Sequence, residues 1–103
     1  METMTRTEIE AAIYASLRRT ARWRRTIAQR FPNDPRNIGA AERLGDIAGR
    51  VSLSGEQCAA LAPHFDDRER WNDALSDTSR AVGIRLGFDS FDAYVQNLIG
   101  ALQ

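Results

Sequence analysis

The chain reads as all-α, a small single-domain bundle of about five helices with a long first helix. Three observations predict this. Thr5 to Phe31 contains no glycine or proline and places its apolar residues at helical spacing. Each later stretch opens on residues that cap helices and continues with one apolar face. No segment alternates apolar and polar residues over a sustained run, so no strand is expected.

In the first helix, Thr5 and Glu8 have the spacing of a capping box, the hydroxyl accepting from a first-turn amide while the carboxylate reaches back. Pro32 disfavours helical angles at Phe31, so the helix is expected to end there. On a helical wheel Ile9, Ala12, Ile13, Ser16, Leu17, Thr20, Trp23, Ile27 and Phe31 occupy about a third of the circumference, the width of a core-facing stripe. Six arginines, Arg18, Arg19, Arg22, Arg24, Arg25 and Arg30, fall in thirteen residues without an acid. Arg18, Arg22 and Arg25 point directly away from the stripe. At about 1.5 Å per residue this helix runs roughly 40 Å. A compact domain of this size is only ~33 Å broad. The helix therefore bends, overhangs its domain or packs against a second copy.

The segment PNDPRN, residues 32–37, is a turn. Asp34 followed by Pro35 opens a second helix, with the acid as cap and the proline at the first helical position, where its missing N–H costs nothing. Ile38, Ala41, Leu44, Ile47, Ala48 and Val51 form its apolar side, and Asp46 with Arg50 is an acid-first pair four residues apart. Gly39, Gly45 and Gly49 each weaken this helix by roughly 1 kcal/mol relative to alanine, which predicts close packing against a neighbour at Gly45 and Gly49. Ser54 to Gln57 repeats the capping box and opens a short third helix that stops before Pro63, with Leu53 stapled onto Cys58. Asp66 caps a fourth helix, with Glu69 at the box position, a buried stripe of Trp71, Ala74, Leu75, Thr78, Val82 and Leu86, and Gly87 as its stop. Asp89 starts the last helix, whose core face is Phe91, Tyr94, Val95, Leu98 and Leu102.

Val82 to Leu98, with Gly87, Phe88 and Ser90 at its turn, resembles the helix-turn-helix portion of ribbon-helix-helix regulators. The resemblance implies a helix, a tight turn and a second helix. That family reads DNA with a short alternating strand before its first helix; here residues 66–81 are helical and acidic instead, so no family is assigned.

A chain of 103 residues fits one domain, residues 1–103, with a single core that needs neither metal nor disulfide. Its 43% hydrophobic and 27% charged content is that of a globular protein. No apolar run reaches the ~18 residues that a bilayer crossing needs, so no membrane partner is expected. The start METMTRTE carries acids where a secretory signal is basic and then apolar, which places the chain in the cytoplasm. Cys58 is the single cysteine and has no intrachain partner. The net charge of zero conceals a dipole along the sequence: residues 1–50 carry ten arginines against six acids, residues 51–103 four against eight.

Little here points to catalysis. Cys58, His64 and Asp66 are the residue types of a nucleophile site, but Pro63 separates them, and Cys58 reads as a small core residue beside Leu53 and Leu61. One cysteine and one histidine cannot furnish the four ligands of structural zinc. Glu69, Asp73 and Asp77 recur every fourth residue opposite Trp71 and read as a solvated face without a calcium-loop pattern. No phosphate loop, paired-histidine helix or nucleophile elbow is present. The chain is expected to be no enzyme and to need no cofactor.

The expected function is a non-catalytic protein–protein interaction module that contacts its partner through Arg18, Arg19, Arg22, Trp23 and Arg25. Guanidinium forks pair bidentately with carboxylates, so an acidic protein surface suits them. The acidic row on the fourth helix makes a second copy, and hence a homo-oligomer, the other candidate partner. The alternative is a small nucleic-acid-binding regulator, in which the arginines follow phosphates and Trp23 stacks on a base. The pI near 6.6 lies far below the basic value expected of such a domain.

Overall fold

The computed structural model describes residues 2–82, 88 and 90–103. It is all-α, with helices α1 (Glu2–Arg30), α2 (Arg36–Ala48), α3 (Gly55–Leu61), α4 (Arg68–Ala81) and α5 (Phe91–Leu102), and one 3-10 turn, Ala62–His64, between α3 and α4. The molecule measures 47 × 24 × 22 Å. At 1.5 Å per residue the 29 residues of α1 span about 43 Å, so this one rod sets the long axis.

The rod begins at Glu2, three residues before the expected Thr5, so Thr5 lies inside the helix rather than at its cap. It ends at Arg30, although Phe31 N–H still donates to the Ile27 carbonyl at 3.1 Å. In the following turn Arg36 N–H donates to Asp34 Oδ1 at 3.1 Å, but the cap of α2 falls one residue after the expected Asp34, at Pro35, whose carbonyl accepts from Gly39 N–H, and no side chain caps this helix. The Arg36 guanidinium also pairs with that carboxylate at 2.7 Å, and its hydrogen bonds hold Asp34 down at about 2. The Asp46–Arg50 pair does not form, because α2 stops at Ala48 and Arg50 lies in the turn beyond it.

The capping box of α3 forms in full: Gln57 N–H donates to Ser54 Oγ, and Ser54 N–H donates to Gln57 Oε1. Leu53 before it donates its N–H to Glu10 Oε2 at 2.8 Å, tying α3 to α1. The next two caps each sit one residue later than expected. Asp67 rather than Asp66 accepts from Arg70 N–H, because the 3-10 turn through Pro63 carries the chain further before α4 can start. Ser90 accepts from Ala93 N–H at the start of α5, in place of Asp89, which lies outside the described residues. α4 ends at Ala81, where Val82 turns to extended backbone. The expected Leu86 and Gly87 also lie outside the described residues.

All five helices contribute to one core cluster. It includes Ile9, Ile13, Leu17, Leu44, Leu61, Trp71, Tyr94 and Leu98, and each residue expected on the inner face of α5 is buried. A polar thread crosses it: Ser16, Ser79 and Tyr94 join their hydroxyls in a chain at 2.9 and 2.7 Å. Burial pushes the Tyr94 hydroxyl up to about 12, so it stays protonated and hydrogen-bonded at neutral pH.

The α1–α2 hairpin is the most extensive helix pairing. Alanines are half of what α2 buries, Ala40, Ala41 and Ala48 beside Asn37, Leu44 and Ile47, and the second half of α1 buries Ala21 and Ala28. Ala28, Ala40 and Ala41 are buried outside the main cluster, where the hairpin runs on past it. Alanine is thus what lets these two helices close on each other. Gly45 has no such part, since a Cβ there meets nothing within 4 Å, and Gly49 faces only its own backbone, the Asp46 and Gly45 carbonyls at 3.6 and 3.7 Å. Gly45→Ala should therefore stabilise the fold by about 0.5–1 kcal/mol. A thermal melt should show the midpoint rising by roughly 2–8 °C; a fall would mean that the position is packed after all.

Candidate functional site

The alanine pairing turns α1. In its first half the buried line is Ile9, Ile13, Ser16 and Leu17; in its second half it is Ala21 and Ala28, with Arg24 half-buried between them. On the wheel this is a rotation of about a fifth of a turn. Trp23, Ile27 and Phe31, expected to continue the core stripe, are carried to its edge: Ile27 is half-buried, Trp23 is 47% exposed and Phe31 59% exposed. Ile38 at the start of α2 is 45% exposed. The far end of the hairpin thus presents apolar surface that the domain does not cover.

The five residues expected to bind a partner divide into two groups. Arg18, Arg22 and Arg25 are exposed on the outer face of α1, with Tyr14 one turn before Arg18, itself 47% exposed. Among the described residues the one salt bridge joins Arg36 to Asp34. None of these three arginines is therefore held by an acid among the described residues. The acids Glu69, Asp73 and Asp77 are likewise exposed, in a shallow hollow of 360 Å³ on α4.

Arg19 and Trp23 lie on the flank of α1 that meets α4. With Ser16, Thr20, Ser76 and Arg80 they line a cleft of 260 Å³. The Arg80 guanidinium lies 6.0 Å from the centre of the Trp23 ring, and that of Arg24 lies 5.0 Å away. Arg24 is fixed. Its Nη1 donates to Asn37 Oδ1 at 3.2 Å and its Nη2 to the Arg80 carbonyl at 3.0 Å, so one side chain ties α1, α2 and the last turn of α4. Burial, and next the nearby charge of Arg80, lower its pKa from 12.5; at neutral pH it remains a cation.

The chain matches no family model, no curated protein and no solved structure. The reading of its surface rests on chemistry alone. Cys58 is buried in the core cluster and forms no hydrogen bond to His64. No group of three or more His, Cys, Asp or Glu among the described residues is placed to hold a metal ion. No helix among them is long and apolar enough to cross a membrane. A broad hollow of 640 Å³ between α3 and α5 is bridged by Gln57 Nε2 donating to Asp92 Oδ1 at 3.0 Å, and its lining holds no arginine, histidine or cysteine.

Sequence reasoning grouped Arg24 with the exposed arginines and passed over Arg80 and Tyr14. Arg80 lies 57 positions from Trp23, and nothing local signals their approach. Tyr14 does carry a signal, since it stands four residues before Arg18 on the same helix face. The division among the arginines has a measurable consequence. Arg24→Ala should destabilise the fold by about 1–2 kcal/mol through the loss of hydrogen bonds from a charged donor, whereas Arg25→Ala should change it by less than about 0.5 kcal/mol. Urea titrations of the two variants check this, and equal effects would contradict it.

Proposed function

We propose that this protein is a non-catalytic protein–protein interaction module whose contact surface is the outer face and distal end of α1. One observation carries the reading: Tyr14, Arg18, Arg22 and Arg25 form a continuous exposed row in which no arginine is paired with an acid of the described chain. Tyrosine and arginine are among the side chains that most often dominate binding energy at interfaces. Phe31 and Ile38 at the hairpin tip add apolar area beside them. The matching partner surface is acidic with an apolar centre. A second copy is one source of such a surface, since Glu69, Asp73 and Asp77 lie exposed on another face.

Light scattering and affinity capture on purified protein test this at low and high salt. Wild type should self-associate or retain acidic proteins, more weakly as salt rises, since exposed ion pairs contribute only about 0–1 kcal/mol each. The triple change Arg18→Glu, Arg22→Glu, Arg25→Glu should abolish the association. A monomer at every salt concentration that captures the same proteins as the triple variant removes the proposal.

The exposure of the Trp23 ring beside guanidiniums favours a second reading, nucleic-acid binding. Filter binding to mixed DNA and RNA separates the two. If three arginines contact phosphates, log affinity falls against log salt with a slope of roughly −2.7; no retention at low salt excludes this reading.

A further inference from the structure

The cleft between α1 and α4 has a composition of its own. Its lining includes two guanidiniums, from Arg19 and Arg80, three hydroxyls, from Ser16, Thr20 and Ser76, and the half-exposed Trp23 ring, with no carboxylate. Ser16 is committed to the buried hydroxyl chain, where its Oγ meets Ser79 Oγ at 2.9 Å, which leaves Thr20 and Ser76 as free hydroxyls at the opening. Arg24, 5.0 Å from the centre of the ring, cannot withdraw its charge because Asn37 and the Arg80 carbonyl hold it. That second bond also satisfies a carbonyl in the last turn of α4, where the partial negative charge of a helix C-terminus would otherwise oppose an anion. Two guanidiniums, of Arg24 and Arg80, thus lie against the Trp23 ring and a third, of Arg19, shares its cleft, and no salt bridge among the described residues neutralises them.

This arrangement selects among anions. One carboxylate is satisfied by a single guanidinium fork. A phosphate monoester carries close to two negative charges and three terminal acceptor oxygens, enough to engage both forks and a hydroxyl together. The 260 Å³ volume is below the roughly 300–1,000 Å³ of pockets that enclose a drug-sized molecule, so the cleft takes the anionic head and leaves the rest of the ligand outside. The exposed part of Trp23 is where a flat group lies, because base–aromatic stacking contributes about 1–3 kcal/mol and tolerates any ring with a π face.

We propose that this cleft binds a phosphate monoester of a molecule that also carries a planar ring, with Arg19 and Arg80 clamping the phosphate and Trp23 receiving the ring. A nucleoside monophosphate and a phosphorylated tyrosine side chain both present this chemistry. The site is separate from the surface of the interaction module, since Arg18, Arg22 and Arg25 lie outside its lining.

The test is calorimetric titration of the intact chain with AMP, phosphotyrosine and inorganic phosphate. Trp23 fluorescence gives a parallel signal, because Trp71 is fully buried. AMP or phosphotyrosine should bind saturably and more tightly than inorganic phosphate, and the tighter of the two names the source. Arg19→Gln and Arg80→Gln should each weaken that binding at least about tenfold, the equivalent of 1.4 kcal/mol. Trp23→Leu should reduce it to the level of inorganic phosphate. The double change Arg18→Gln, Arg22→Gln should leave it unaltered. Arg19 and Arg80 are exposed and the Arg80 contact to Arg24 is made by its backbone, so these variants keep the fold, which circular dichroism verifies. Three results overturn the proposal: no saturation with either monoester, inorganic phosphate binding as tightly as both, or equal losses from the control substitutions on the outer face.

Discussion

The close pairing of α1 with α2 decides most of what this molecule shows to its surroundings. Alanines are buried on both helices, Ala21 and Ala28 on α1 and Ala40, Ala41 and Ala48 on α2, and a helix brought close on one side must turn that side inward. For α1 the turn comes midway along the rod. Its first half buries Ile9, Ile13 and Leu17 in the common core, while its second half gives the inner position to small residues and sends Trp23 and Phe31 outward. The burial of five methyl side chains thus has a second effect, the exposure of two aromatic rings.

Electrostatics follows the same division. Arg24 enters the structure through its hydrogen bonds to Asn37 and the Arg80 carbonyl, and it is the arginine of the cluster that the fold itself uses. Arg18, Arg22 and Arg25 remain on the outer face, and Arg19 joins Arg80 beside Trp23. The acids Glu69, Asp73 and Asp77 lie exposed on α4, and the ion pair Asp34–Arg36 is local to one turn. A chain with no net charge therefore carries an arginine row on α1 and an acidic row on α4, an arrangement suited to specific and salt-sensitive contacts.

What could be read from the sequence was what neighbouring residues decide. The Ser54–Gln57 capping box and the buried face of α5 each depend on residues within two turns, and each appears as expected. Asp67 and Ser90 displaced their neighbours as caps by one residue, because adjacent oxygen-bearing side chains compete for one role and the preceding turn decides between them. The larger miss concerned Trp23 and Phe31. A wheel with fixed period assigns both to the core, and only the identity of the neighbour shows that the alanine side wins. Ala21 and Ala28 are seven residues apart, as are Ala41 and Ala48, which is the signal in the sequence for a small-residue seam. The approach of Arg80 to Trp23 depends on tertiary packing across more than half of the chain and has no local trace. The expectation at Gly45 failed for a related reason: a glycine in a helix is compatible with close approach but does not require it.

The claim beneath all of this is that α1 turns its alanines inward and its second-half aromatics outward. Hydroxyl-radical footprinting with residue-level mass spectrometry reads that orientation directly in the folded chain. Trp23, Phe31 and Tyr14 should be oxidised readily, while Trp71, Phe91 and Tyr94 stay protected until the protein unfolds. Protection of Trp23 and Phe31 in the dilute monomer, comparable to that of Trp71, would contradict the account.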